Sequence, residues 1–148
     1  MKVFFYFFIL CSTFIALQGC QTPGYYITDS NLPVSESRKT ITAVIGKPRL
    51  VSLNGRELLS EYHDTNFKLL EDPAKVLLRY FTKVTILGAR RPYEINVQVF
   101  EEKYDRETRS FVNMGIDDGL SEKRAVEIKR AHNYSLEKIQ TIDGDAPF

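Results

Sequence analysis

Two runs of alternating residues meet at a short turn, and nothing else in the chain restricts its fold as much. Tyr80, Thr82, Val84 and Ile86 alternate with Phe81, Lys83 and Thr85. After Gly88-Ala89-Arg90-Arg91-Pro92, the residues Tyr93, Ile95, Val97 and Val99 alternate with Glu94, Asn96 and Gln98. Successive side chains of a strand point to opposite faces, so period two over such a length means one buried and one wet face. The pair predicts a long antiparallel hairpin that needs a cover on one side only. Arg90, Arg91 and Tyr93 then stand at its tip, stiffened by Pro92.

Other segments supply further strands and the cover. Asn54-Gly55, between RLVSL and RELLSEYH, predicts a type I′ hairpin turn, which needs φ > 0 at both central residues. That turn would put Val51, Leu53, Leu58 and Tyr62 on one face. Arg56 falls at the tip end of the long hairpin or at the opposite end, according to strand order. Phe111-Val112-Asn113-Met114 reads as a short last strand. Ser35 to Ile45 predicts a short helix capped by Ser35 and closed by Gly46 and Pro48, although its β-branched residues also alternate. A second helix starts at Asp118 as its cap. Leu120, Ala125, Ile128, Ala131 and Tyr134 form its apolar stripe, with Glu122, Lys123, Glu127, Lys129 and Arg130 outside. The fold class is therefore α+β: an antiparallel sheet of four to five strands, two hairpins plus a short strand, with an N-terminal and a C-terminal helix on one face. It forms a single domain over 33–137. Residues 21–32, polar and carrying Pro23 and Gly24, read as a tether, and 138–148 as a flexible tail.

The N-terminus has a different character. After Met1-Lys2, Val3 to Leu17 runs fifteen residues without a charge. As a helix it would cover roughly 22 Å, short of the ~30 Å hydrocarbon core, so a signal-peptide apolar region fits better than a membrane span. Leu17-Gln18-Gly19-Cys20 follows. It resembles the lipobox of bacterial lipoproteins, with an aliphatic residue three before the cysteine and a small one just before it. The resemblance implies cleavage between Gly19 and Cys20, removal of 1–19, and a diacylglyceryl group on the Cys20 sulfur with the new amine acylated. Gln21, not Asp, follows the cysteine, which implies an outer-membrane location facing the periplasm. Burial at ~0.8 kcal/mol per CH₂ makes two or three chains a lasting anchor.

Cleavage would also remove Lys2 and Cys11, leaving equal numbers of basic and acidic groups and no free thiol. So balanced a charge lacks the electrostatic footprint of a nucleic-acid binder. The chemical inventory is thin. His63-Asp64 is half of a metal or acid–base site with no second ligand cluster at suitable spacing. His132 lies at the edge of a helical stripe. Glu101 and Glu102 are adjacent, hence on opposite strand faces. No serine elbow, phosphate loop or other cofactor motif appears, and no cofactor is expected.

A second resemblance lies at Val44-Ile45-Gly46-Lys47-Pro48 followed by strand-like Leu58 to His63. It is similar to the helix, Gly-x-Pro, strand passage of SmpA/OmlA-type lipoproteins, small subunits of outer-membrane assembly machinery. It covers some twenty residues and implies an envelope-assembly accessory, without carrying over any site residue.

The expectation is a non-catalytic lipoprotein, joined to the membrane through Cys20, that binds an envelope protein partner. Arg90, Arg91, Tyr93 and Arg56, with an exposed sheet edge, are the candidate contacts, because arginine and tyrosine dominate interaction hot spots. The alternatives are a binder of lipid headgroups or peptidoglycan-type ligands, with guanidiniums meeting phosphate or carboxylate, and an envelope hydrolase centred on His63 and Asp64.

Overall fold

The computed structural model describes residues 23–144. The signal segment, Gly19 and Cys20 of the cleavage and lipidation site, and the terminal Pro147-Phe148 lie outside them. The described residues form, in chain order, β1 (Tyr25–Ser30), α1 (Val34–Ile45), β2 (Leu50–Val51), β3 (Glu57–Leu59), β4 (Leu78–Leu87), β5 (Tyr93–Asp105), β6 (Ser110–Ile116) and α2 (Asp118–Gly144). The fold is α+β, as expected. All strand pairs are antiparallel, and the six strands make one sheet in the order β1-β5-β4-β3-β2, with β6 also on β5.

The long hairpin is the sheet's spine. β4 and β5 pair continuously from Leu78↔Lys103 to Leu87↔Glu94. β5 is long enough to take two neighbours on its other side, β1 along Tyr93–Val97 and β6 along Phe100–Asp105. Both helices lie on the face that carries Val84, Ile86, Ile95 and Val97. Those side chains pack with Ile27, Ile41, Ile45, Leu58, Ala125 and Ile128 into the main core. A second cluster joins Tyr80, Val99 and Leu120, with Phe67 against it.

Five expectations need correction. The segment read as a tether contains β1. Tyr25, Tyr26 and Ile27 pair with Val97, Asn96 and Ile95, so the sheet gains a strand at its N-terminal end. The residues read as a tail continue α2 through Gly144. The Asn54-Gly55 hairpin does not use a two-residue turn. Val51↔Leu58 is its last pair, the Gly55 amide bonds Ser52 O, and only Gly55 takes positive φ. The wider loop leaves Leu53 fully exposed rather than on the core face. The caps sit one or two residues earlier than expected. Asp117 Oδ1 accepts from the Leu120 amide at 2.8 Å, so Asp117 caps α2, while Pro33 precedes α1 and Ser35 lies inside it without capping. Tyr134 is 70% exposed and stands off the stripe, which instead runs through Arg124 and His132.

The outer face is also less wet than alternation implied. Asn96 and Gln98 are buried. The segment just before β1 lies across them: Gln98 Nε2 donates to Pro23 O at 2.6 Å, and a Cβ on Gly24 would come within 2.6 Å of Gln98 Cγ. Gly24, at φ +119, is thus required twice, by its backbone conformation and by the close approach.

Candidate functional site

Four places in the fold hold side chains with binding chemistry. The first is the hairpin tip. β3 pairs with β4 (Glu57↔Thr85), which brings Arg56 to the same end as Arg90, Arg91 and Tyr93. The strand order thereby settles the side on which Arg56 lies. Its guanidinium donates to Gly88 O and stacks 5.4 Å from the Tyr93 ring centroid. Arg91 donates to Asn31 O at 3.3 Å, and the Arg91-Pro92 peptide is cis. Two of the three arginines therefore hold the turn to its neighbours. Arg90 is exposed and makes no hydrogen bond or ion pair among the described residues.

The second is a pocket of roughly 330 Å³ between the end of α1, the loop after β3, and α2, with Lys47, Glu61, His63, Phe67 and Arg124 in its wall. His63 is 3% exposed. Its Nδ1 is 2.8 Å from Asp64 O and its Nε2 3.0 Å from Thr82 Oγ1. A carbonyl only accepts, so Nδ1 carries the proton and Nε2 accepts from the threonine. Burial lowers the imidazole's pKa, against the Asp64 carbonyl, and the charge of Arg124 lowers it further. Asp64 turns away from this ring's chemistry: its carboxylate accepts the Asn66 and Lys68 amides at 2.8 and 2.9 Å, and those bonds lower its pKa. His63 and Asp64 are adjacent in sequence, but each side chain is committed to a different neighbour.

Arg124 is the residue that sequence reasoning missed here. Though 5% exposed, it is charged, lying 3.6 Å from the centre of the Phe67 ring. Its Nη1 bonds Val44 O at 3.3 Å and Glu127 at 2.9 Å, and Nε has no partner among the described residues. The bond to Val44 O satisfies a carbonyl at the C-terminal end of α1. Burial lowers its pKa from the arginine value, opposed by Glu127. The only signal in the sequence is its place between Ser121 and Ala125, on the face that proves to be buried. His132, also 3% exposed, bonds through neither ring nitrogen among the described residues, and burial lowers its pKa.

The third is the far end of the β4-β5-β6 ribbon, beyond the start of α2. Leu78, Lys103 and Val112 face the helix side in register. Val112 and Met114 line one shallow depression with Lys103 and Asp105. Leu78, Val112 and Met114 are 40%, 43% and 57% exposed, which is unusual for large apolar residues in strands. Among the described residues β6 pairs only with β5, so its other edge is free. Gly115, at φ +114, sits in the bulge that sets Met114 out of register.

On the opposite face Arg79 and Arg49 interleave with rings. Arg79 lies 3.9 Å from the Tyr62 ring centre and 3.5 Å from that of Phe111, and it pairs with Glu102 at 2.7 Å. Arg49 lies over Tyr62 and Phe81, and Phe81 stacks on Phe100 at 5.0 Å. Glu101 points the other way, to the Tyr80 hydroxyl. Burial and that bond push the Tyr80 pKa up to about 12.

Among the described residues no cluster of three or more His, Cys, Asp or Glu is placed to hold a metal ion, and no helix is long and apolar enough to cross a membrane. No protein-family model, curated protein or solved structure matches the chain.

Proposed function

We propose that this is a non-catalytic module of the bacterial cell envelope, anchored through Cys20 in the outer membrane, that binds a protein partner with the exposed end of its β4-β5-β6 ribbon. One observation carries the partner surface: Leu78, Val112 and Met114 stand exposed beside the free edge of β6. An unpaired edge offers backbone hydrogen bonds to an added strand, and alternate apolar side chains give such pairing its specificity. The hairpin-tip arginines remain as a second contact, with Arg90 the cation free to reach outward. The lipobox residues Leu17-Gln18-Gly19-Cys20 support the anchor.

A photo-crosslinker at Val112 in living cells should trap one discrete partner, and Val112→Lys combined with Met114→Lys should abolish capture from a crosslinker at Arg90. Blank lanes from both positions, with the protein present at its normal level, would remove the proposal. A second possibility, a binder of small anionic ligands such as peptidoglycan fragments, draws on the unpartnered Nε of Arg124 beside the pocket. Saturable binding of muropeptides that weakens in Lys47→Ala would favour it over protein capture.

A further inference from the structure

We infer that the outer face of the sheet lies on the membrane surface that carries the anchor, with the helices turned away. The inference rests on the proposed lipidation of Cys20 and adds to it an orientation. A twelve-residue tether would leave the domain free to tumble. The structure shortens that tether: β1 is part of the sheet, and Pro23 is held over Gln98 by a 2.6 Å hydrogen bond. Only Gln21 and Thr22 then separate the acylated cysteine from a fixed point, three backbone steps with a reach of about 10 Å at full extension. A headgroup layer is itself roughly 5–8 Å deep, so the fixed point can hardly leave the interface.

The fixed point lies on the outer face. Gln98 is paired with Lys83, and the next outer-face pair is Phe81 with Phe100. The side chains around the exit are those that a phospholipid interface accommodates. Arg49 is exposed, stacked on Tyr62 and Phe81, and has no carboxylate partner among the described residues. It is a guanidinium available to lipid phosphate. Lys83 lies 3.6 Å from Glu57, and Arg79 is held by Glu102. Aromatic rings with cations beside them favour the headgroup level, where one end of the ring is apolar and the other wet. The helix side offers the reverse. Glu122, Lys123, Glu127, Lys129 and Arg130 cover it with mixed charge. With the outer face down, the hairpin tip and the β6 edge stay open to the periplasm, where a partner can reach them.

The test uses the purified, acylated full chain in vesicles of phosphatidylethanolamine and phosphatidylglycerol. With the Cys20 thiol acylated and Cys11 removed with the signal, a single introduced cysteine takes a fluorophore. Probes at Lys83→Cys and Arg49→Cys should be quenched several-fold more strongly by headgroup spin-labelled lipid than probes at Lys129→Cys and Glu122→Cys. Equal quenching on both faces, or stronger quenching on the helix side, overturns the orientation. So does shielding of position 83 from an impermeant thiol reagent in cells without quenching in vesicles, which would assign the face to a protein. The mass of the N-terminal peptide separates the two levels. An acylated peptide with equal quenching defeats the orientation alone; an unacylated one defeats the anchor and the orientation together.

Discussion

The two faces of one sheet are ordered by different means. On the helix side Ile95, Val97, Val84 and Leu58 are fully buried beneath two helices. Water is excluded there by apolar packing, and the few polar groups that enter are bonded or neutral. On the outer side neither α1 nor α2 covers the rings. Arg49 and Arg79 lie over them instead, and Phe81 is buried to 8% exposure with Phe100 and a guanidinium as its roof. Long cationic side chains can bury an apolar surface with their stems and planes while their charges stay near water. A face sealed in this way keeps its polarity and its cations available, whereas the helix side leaves contacts only where the helices stop, at Leu78, Val112 and Met114 and in the pocket beside His63.

The largest loss is expected in the apolar core. Leu58→Ala should lower unfolding free energy by about 2–5 kcal/mol in urea denaturation, since a fully buried leucine leaves a cavity. A smaller effect next is expected on the outer face. Arg79→Ala removes a half-buried ion pair and two ring contacts, for a loss of about 2 kcal/mol. Arg79→Lys should recover little of it, because the lysine ammonium lacks the planar fork. If Arg79→Ala costs as much as Leu58→Ala, the guanidiniums are as structural as the core.

A third test titrates the helix side. His63 and His132 are buried bases with lowered pKa values. Each binds fewer protons folded than unfolded, so its stability contribution is complete above the ordinary histidine value of 6.5 and is lost as pH falls below it. Urea midpoints should therefore drop between about pH 7 and pH 5, and His132→Leu should make that fall shallower. An unchanged slope would show that His132 does not contribute. The smallest effect belongs to Arg49→Ala, at most about 1 kcal/mol, because its stack is exposed. Its consequence should instead appear in lipid contact.

Much of the architecture was legible because it is local. The alternation from Tyr80 to Ile86 and from Tyr93 to Val99 reports a hairpin, and helical spacing from Leu120 to Ile128 reports the cover; both occur. Tyr25-Tyr26-Ile27-Thr28 is aromatic and β-branched, a composition that suits a strand, but the polar setting with Pro23 and Gly24 reads as a tether. Those two residues prove to be the crossing that leads into the strand. At the candidate sites the pattern is the same. Arg90, Arg91 and Tyr93 were readable as a tip, but not that Arg91 would bond back to Asn31. Arg124 is the residue the sequence left unmarked, and only the approach of α1 and Phe67 makes it a buried charge.

Periodicity and composition act over neighbouring residues, and from them the chain alone establishes the α+β class, the long hairpin and the apolar stripe of α2, and carries the expectation of a signal segment ending at Cys20. Tertiary structure decided that β1 joins the sheet, that Arg56 stands with the hairpin tip, that His63 bonds Thr82 and the Asp64 carbonyl, and that one end of the sheet is left bare. Each of those outcomes depends on which distant segment fills the space beside a given strand. Edge pairing and helix packing are settled by the whole set of buried contacts, and no local window contains them.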